Sequence, residues 1–313
     1  MIRAASIVSI ALLVACSRGE APQTAAGGAA VTQLLAHLPP DTEVVVSGSL
    51  AELASWPLWR RAVGVIAYDA PEVAARIGTR CGLDPWTVLD DAALAIPADP
   101  ESAVVAVETT FDRARIHECL GKVGDGSSAI AIDPGPVTRY RQTESIEVAA
   151  WLTDRIALAI PLRMDEEAAL QSLVPPRAVP EALQALLGRV DRGATIWAIA
   201  QVKRDGLGEM LAMMPLPAQP IGVHAAIRRK SSMTGYAALV FGNANDAREA
   251  AKVLQTALDN PPPPLVPWRD ALHIETRDDE VRVVLTLDVE RAKQLDAAIA
   301  GLLPEPRERP AKR

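Results

Sequence analysis

The chain has 313 residues and a net charge of −7 at neutral pH. An acidic surface repels phosphate groups, so this charge argues against electrostatic binding of nucleic acid or of anionic lipid headgroups. Hydrophobic residues make up 49% of the chain, which suffices for buried cores, and the length suits two domains of ordinary size.

The N-terminus has the three parts of a bacterial secretion signal. Arg3 supplies the positive charge, residues 4–14 form an apolar run, and a cleavage site follows. The run is too short to cross a bilayer, which requires about 20 apolar residues. We therefore predict that residues 1–15 are a signal peptide that is removed from the mature protein.

Residues 13–16 (Leu-Val-Ala-Cys) resemble the lipobox of bacterial lipoproteins. The resemblance implies that the thiol of Cys16 carries diacylglycerol and its amine an acyl chain, so that this lipid attaches the protein to a membrane. The alternative is an ordinary signal peptide followed by a chance cysteine. Residues 16–30 are small and polar and are predicted to form a flexible tether. By the sorting rule of lipoproteins, Ser17 favours the outer membrane, with the protein facing the periplasm.

Two further cysteines, Cys81 and Cys119, follow the predicted signal. An exported protein meets an oxidising compartment, in which a disulfide can form. A bridge between them would stabilise the fold by ~3–4 kcal/mol in the chain-entropy model. The alternative is a pair of buried free thiols. We favour the disulfide, and alkylation of the unreduced protein distinguishes the two.

The order of predicted elements repeats once along the chain. Each half starts with a strand and a helix, continues with a strand pair and a second helix, and ends with strands and a closing helix. We place the first repeat at residues 31–190 and the second at residues 191–303. The corresponding segments are residues 43–48 and 194–200, 92–109 and 221–241, 112–123 and 246–258, and 154–160 and 279–285.

Periodicity supports these assignments in the second repeat. Apolar and polar residues alternate over residues 281–287, as in a strand with one buried face. A closing helix is predicted to begin after Asp288, a good N-cap, and to end before Pro304. Residues 304–313 are rich in charge and proline and are predicted to be disordered.

We predict an α+β protein made of two tandem ferredoxin-like βαββαβ-type repeats, each an antiparallel sheet with its helices packed on one face. The sequence leaves open whether the two sheets pair face to face or merge into one. The pattern resembles a set of uncharacterised bacterial lipoproteins with duplicated α/β units, including a turn at Gly82-Leu83-Asp84-Pro85. This resemblance implies no particular activity.

The sequence contains no recognisable cluster of catalytic or metal-binding residues. The histidines do not have the spacing of metal ligands: they are His37, His117, His224 and His273. His224 and His273 are expected at the surface, about 14 Å apart on separate strands. Residues 121–128 have the wrong order for a phosphate-binding loop, and adjacent acids such as Asp90-Asp91 and Asp278-Asp279 are expected in caps and turns. We predict no metal ion and no cofactor.

These features favour a non-catalytic lipoprotein of the cell envelope that binds or scaffolds a protein partner through a sheet face or a groove between the repeats. Two alternatives stay open. One is a carrier of an apolar ligand held between sheet and helices, and the other is a hydrolase whose site residues are scattered along the chain. A deep polar cavity would favour the hydrolase, and a large apolar cavity would favour the carrier.

Overall fold

The computed structural model describes residues 28–56, 59, 78–82, 88–99, 102–123, 130–131, 137–141, 146–160, 166–203 and 207–302. The predicted signal peptide (1–15), Cys16, most of the predicted tether and the predicted tail (304–313) lie outside these residues. So do most of the turn after Gly82 and the second half of the glycine-rich segment 121–128. The expectations for these segments therefore stay predictions.

The described elements follow one another in this order: α1 (Ala29–Ala36), β1 (Thr42–Ser49), α2 (Leu50–Ala54), β2 (Leu89–Pro97), β3 (Val104–Thr109), α3 (Arg113–Val123), β4 (Ile130–Ala131), β5 (Val137–Arg141), β6 (Ile146–Trp151), β7 (Ile156–Ala159), α4 (Glu166–Leu173), α5 (Glu181–Leu187), β8 (Ile196–Gln201), α6 (Leu207–Ala212), β9 (Gly222–Arg229), β10 (Met233–Val240), α7 (Ala244–Asp259), a 3-10 helix (Pro263–Ala271), β11 (Leu272–Arg277), β12 (Glu280–Leu287) and α8 (Val289–Leu302). Within the described residues, no helix combines the length and the apolar character needed to cross a membrane.

The twelve described strands form one sheet in the order β11-β12-β10-β9-β8-β1-β2-β3-β7-β6-β5-β4. The first strands of the two predicted repeats, β1 and β8, are neighbours near its middle, with Val45 opposite Ile199. Outward from this pair the order is β1-β2-β3-β7-β6 on one side and β8-β9-β10-β12-β11 on the other. A large antiparallel sheet with helices, the coarse part of the predicted fold, is confirmed.

The ferredoxin-like strand order is not confirmed. A ferredoxin-like βαββαβ unit is also antiparallel, but it is a split βαβ in which another strand lies between the first and the second, whereas here the first and second strands of each half are direct neighbours. The first three strands of each half instead pair in sequence. In the hairpin that follows, the second strand and not the first pairs with the third strand of the half, so that β7 pairs with β3 and β12 pairs with β10. Neighbours in sequence pair most readily because short connections suffice to join antiparallel strands.

Helices cover both faces of the sheet, which corrects the prediction that they pack on one face. We call the face that carries Val45 and Ile199 the front face, and the face that carries Val46 and Ala198 the back face. On the front face, α1, α4 and α5 bury apolar residues in the main core: Leu34, Leu170, Leu173, Leu183 and Leu186. Because the two half-sheets merge, the front face is one wide surface, and α1, α4 and α5 cover it over the strands of the first half and over β8 and β9.

The back face of the second half is covered by the helices of that half. Ala250 of α7 packs with Val281, and Ala292 of α8 packs with Leu287. As predicted, α8 begins directly after Asp288, whose Oδ1 accepts a hydrogen bond of 2.8 Å from the backbone N–H of Arg291. This cap satisfies one of the backbone donors that the first turn of a helix leaves open.

The first described helix shortens the predicted tether. α1 begins at Ala29, and Ala30 is fully buried in the main core, so the last two residues of the predicted tether (16–30) belong to the fold. Composition alone did not reveal this, because small residues serve equally in a linker and in a close contact between a helix and a sheet.

Candidate functional site

In the structure, Cys81 and Cys119 are joined by a disulfide with a Cα–Cα distance of 5.3 Å. Both residues are buried and pack with Val88 and Phe111. The bridge links a short helical segment before Gly82 to α3. The structure therefore favours the bridge over the pair of free thiols, and the role of this pair is structural.

The four histidines lie in different surroundings. His37 is buried after α1, and its Nδ1 lies 2.8 Å from the carbonyl oxygen of Leu173, at the end of α4. The ring of His117 meets the ring of Trp151 edge-on at 5.8 Å. Burial is the main reason why the pKa of His117 falls below its ordinary value. Among the described residues no group of three or more His, Cys, Asp or Glu side chains is arranged to hold a metal ion.

The prediction that His224 lies at the surface is wrong, because its exposed fraction is 0%. Strands β10 and β12 separate β9, which carries His224, from β11, which carries His273. The two imidazoles are thus three strand spacings apart, or about 14 Å, as predicted. His273 is partly exposed, and its Nε2 lies 3.3 Å from Oε1 of Glu275.

His224 is part of a charged cluster on the front face. Its Nε2 lies 3.0 Å from Oε2 of Glu280, and Nε of Arg282 donates to Oε1 of the same carboxylate at 2.5 Å. Arg189, which follows α5, brings its Nη1 to 3.5 Å from Oε2. The strand register explains the meeting: Ala238 lies opposite His224 on one side and opposite Arg282 on the other. The methyl group of Ala238 leaves room for the longer side chains to meet over β10.

Further charged residues continue this cluster to the outer strand. Glu275 lies opposite Arg282 and accepts a hydrogen bond of 3.0 Å from Arg277. At the inner side, Arg189 binds both carboxylate oxygens of Asp279, at 2.6 and 3.0 Å. We call the whole set the charged stripe; its members are Arg189, His224, Glu275, Arg277, Asp279, Glu280 and Arg282.

Tyr236 lies beneath the charged stripe and supports it. The guanidinium of Arg282 stands over the Tyr236 ring at 4.5 Å, and the ring of His224 meets the same ring edge-on at 5.4 Å. The Tyr236 hydroxyl accepts a hydrogen bond of 3.0 Å from the backbone N–H of Asp191. Burial raises the pKa of Tyr236, so the phenol stays neutral at physiological pH. These contacts hold Arg282 in one position against Glu280.

The pKa values of Glu280 and His224 both fall, for different reasons. Burial alone would raise the pKa of Glu280, but the hydrogen bonds and positive charges of its neighbours outweigh burial and hold it well below its usual range. Burial lowers the pKa of His224 more than Glu280 raises it. The imidazole is therefore neutral and donates its Nε2 proton to the carboxylate. Its Nδ1 has no hydrogen-bond partner within the described part of the chain.

The opposite charges of the stripe neutralise one another, which limits the chemistry that its carboxylates can perform. Three arginines face three carboxylates, and each carboxylate accepts a hydrogen bond from at least one arginine. A carboxylate with a lowered pKa, held by several donors, is a weak base and a poor nucleophile. Arg277, at the outer end of the stripe, is partly exposed, and so is His273, which lies beside the stripe. This part of the surface presents both hydrogen-bond donors and acceptors.

A second carboxylate cluster lies on the front face beside the start of α1. Asp91 of β2 lies opposite Ser49. Burial, then the charges of Asp90, Glu108 and Glu52, raise the pKa of Asp91 from 3.8 to about 6, although a hydrogen bond with Ser49 opposes them. The carboxyl group of Asp91 packs so closely on Gly28 that a Cβ there would overlap Oδ2. Asp91 therefore fits only against a glycine at this point.

Sequence reasoning did not bring the members of the stripe together. Alternation placed His224 on the polar side of β9, and Asp278-Asp279 in a turn, as the structure has them. The strand order then decided the rest, because β12 lies next to β10 and not at the far side of a separate sheet.

Comparison with known proteins provides no family for this chain. No family model matches it, and no curated protein matches it. Crystal forms I, III and IV of TP0453, a Treponema lipoprotein, are similar solved structures, with sequence identities of 13%, 13% and 12% and TM-scores of 0.48, 0.49 and 0.48. The matches cover 87%, 85% and 85% of this chain and 97%, 96% and 96% of theirs. At these values we infer nothing from the likeness.

Proposed function

We propose that this chain is a lipid-anchored protein of the bacterial cell envelope that binds another envelope protein and catalyses no reaction. The anchor is the lipid on Cys16, and the binding surface is the partly exposed part of the charged stripe, Arg189, Arg277 and Asp279, on the front face of the second half. The observation that carries the proposal is the position of the stripe. The described helices that pack on β11 and β12 are α7, α8 and the 3-10 helix, and they lie on the back face.

The lipid anchor is supported by residues 13–16. Twelve residues, 16–27, precede Gly28, the first residue that the structure describes. A tether of this length keeps the folded part close to its membrane. By the sorting rule stated above, Ser17 favours the outer membrane, with the fold on the periplasmic side.

The choice of a protein as partner rests on charge balance. A surface on which arginines and carboxylates alternate offers no net attraction to a polyanion, so nucleic acid is a poor partner. The same alternation matches the mixed donors and acceptors of a polar protein surface and favours one register over others. Within the stripe, the pairing of each carboxylate with an arginine supports a non-catalytic role.

We also infer that the two halves arose from one duplicated unit. The strand order β1-β2-β3-β7-β6 repeats as β8-β9-β10-β12-β11, and a helix follows the third strand in both, α3 or α7. The two copies differ on the front face, since α4 packs on the outer strands of the first half while the charged stripe occupies those of the second.

The anchor is tested by the mass and location of the mature protein. We expect the native protein to begin at Cys16 with the mass of the attached acyl chains, and Cys16→Ser to leave the membrane fraction. Ser17→Ala is the matched control and keeps the lipid. A mature protein with an unmodified N-terminus, or a Cys16→Ser variant that stays in the membrane fraction, contradicts the proposal.

The binding surface is tested by cross-linking in intact cells of the source bacterium. Arg277→Glu reverses an exposed charge of the stripe, and Arg115→Glu reverses an exposed charge on α3 as a matched control. We expect a defined cross-linked protein to disappear with Arg277→Glu and to persist with Arg115→Glu. Loss with both variants, or with neither, contradicts a role for the stripe.

A further inference from the structure

Three exposed apolar side chains lie on the 3-10 helix and at the start of α8. Leu265 is 43% exposed, Val266 56% and Val289 44%. We call these three residues the apolar patch. An aliphatic side chain that stays in water lacks the favourable free energy of burial, which a partner that covers it would provide.

Arg291 joins the two elements that carry the patch. From the first turn of α8, Arg291 donates to the carbonyl oxygen of Pro267 at 2.7 Å and pairs with Asp270 at 2.7 Å. Its guanidinium also stands 5.9 Å from the ring of Trp268. The backbone near Val289 is thereby held against the 3-10 helix that carries Leu265 and Val266.

The patch lies at the end of the sheet where the tether leaves the fold. We call it the Gly28 end, since Gly28 packs on Asp91 there, opposite the last residue of β1. β12 ends at the same edge, two residues before Val289, and β11 starts there, directly after the 3-10 helix. The strand register shows that these points lie at the same end of the sheet. The residue pairs that establish this, from β2 across to β11, are Ser49 and Asp91, Gly48 and Ile196, Ile196 and Ile227, Arg229 and Met233, Met233 and Leu287, and Leu272 and Leu285.

The tether is long enough to place the lipid at the patch. β2 and β12 are five strand spacings apart, which is about 24 Å. Cys16 and Gly28 are twelve residues apart, which allows a reach of at most about 43 Å. A flexible chain of this length has an average end-to-end distance of about 20 Å. The membrane that holds Cys16 therefore lies within reach of the Gly28 end.

We propose that the apolar patch contacts the lipid bilayer in which Cys16 is anchored, and so fixes how the fold is oriented on that membrane. This inference rests on the proposed lipid anchor. The contact is hydrophobic, in keeping with the acidic net charge, and resembles the shallow insertion of aliphatic and tryptophan side chains at a membrane interface. A second copy of the chain is a weaker occupant, since three side chains expose far less than the roughly 800 Å² that each partner buries in a stable interface.

The opposite end of the sheet provides a matched control. Met213 and Ile221 are exposed apolar residues of similar kind, at 80% and 59%. Ile221 directly precedes β9, whose first residue pairs with the last residue of β8. An eight-residue strand separates this end from the Gly28 end, a distance of about 27 Å. A membrane that meets the sheet at the Gly28 end, across the strand direction, does not reach the other end.

The test is hydroxyl-radical footprinting of the lipidated full chain in phosphatidylcholine vesicles, compared with the Cys16→Ser chain in solution. We expect modification of Leu265, Val266 and Val289 to fall several-fold on anchoring, while Met213 and Ile221 stay unchanged. In the anchored Val266→Glu chain the protection of Leu265 and Val289 should be lost, whereas Ile221→Glu should leave it intact. Both variants change exposed side chains, so both should fold.

The outcomes separate this inference from the proposed function. A chain without lipid on Cys16 contradicts the anchor itself. An anchored chain whose patch is modified as fast as in solution contradicts the patch contact alone. Equal protection in the Cys16→Ser chain without vesicles would show that another copy covers the patch and would overturn the membrane contact. Protection at both ends would also overturn it.

Discussion

Two carboxylates on the front face, Glu280 and Asp91, have pKa values that are shifted in opposite directions. Burial raises the pKa of both, because it disfavours the charged form. Glu280 lies among two arginines and a histidine, which outweigh burial, and its pKa falls; at Asp91 the charges of three acids add to the effect of burial, and its pKa rises to about 6. Burial alone would raise both pKa values, and positively charged neighbours reverse that direction only at Glu280.

The largest expected effect is the loss of the Glu280 carboxylate. Glu280→Ala leaves the buried His224 and the largely buried Arg282 without their shared acceptor, which should lower the free energy of unfolding by about 3–5 kcal/mol. The measurement is urea denaturation at pH 7. Glu275→Ala removes a carboxylate from the exposed end of the same stripe and should cost less than about 1 kcal/mol. Equal losses in the two variants would mean that burial does not increase the contribution of a stripe carboxylate to the free energy of unfolding.

The next effect tests the contact between Asp91 and Gly28. A Cβ at residue 28 overlaps the Asp91 carboxyl group, so Gly28→Ala should destabilise the fold by about 1–3 kcal/mol through overpacking. The loss should shrink in the double variant Gly28→Ala/Asp91→Ala, relative to Asp91→Ala alone. Additive losses in this double-mutant cycle would show that the two residues do not interact.

A smaller effect with the opposite sign is expected from Asp91→Asn. The folded-state pKa of Asp91 is about 6, above its ordinary 3.8, so its contribution to stability is fully present below pH ~4 and is lost as the pH rises through ~6. Asn keeps the shape without the charge. After allowing for partial exposure, Asp91→Asn should stabilise the protein by up to about 1 kcal/mol at pH 8 and not at pH 4. Asp41→Asn, at an exposed position, should show no such dependence.

The smallest effect is the acid sensitivity that His224 contributes. Its folded-state pKa is below its ordinary 6.5, so the unfolded chain takes up the proton first and stability falls as the pH drops below ~6.5. Asp91 acts in the opposite direction in the same pH range and masks part of this fall. Stability of the Asp91→Asn variant should therefore fall more steeply than that of the wild type between pH 7 and 5.

Nitrogen NMR shifts provide an independent readout of His224. They should show a neutral imidazole with its proton on Nε2 at pH 7. A protonated ring at that pH would contradict the neutral donor that we assign to the Glu280 contact.

The candidate site was predictable from the sequence only in part. Alternation identified the strands that carry His224, Glu280 and Arg282, because side chains of a strand point alternately to its two faces. The meeting of these residues was not predictable, because it depends on β12 lying beside β10 and on the small side chain of Ala238 between them. The expected separation of His224 from His273 was correct, while the expected exposure of His224 was wrong.

Local sequence determined the elements of this protein: the strands and helices of both halves, the cap at Asp288 and the repeated order of elements. These features depend on residues close together in the chain, whose periodicity and capping can be read directly. Only the tertiary structure decided that both halves share one sheet through β1 and β8, that helices cover both of its faces, and which charges surround Glu280 and Asp91. Strand pairing joins residues far apart in sequence, and the alternation of a strand is the same whichever neighbour it pairs with.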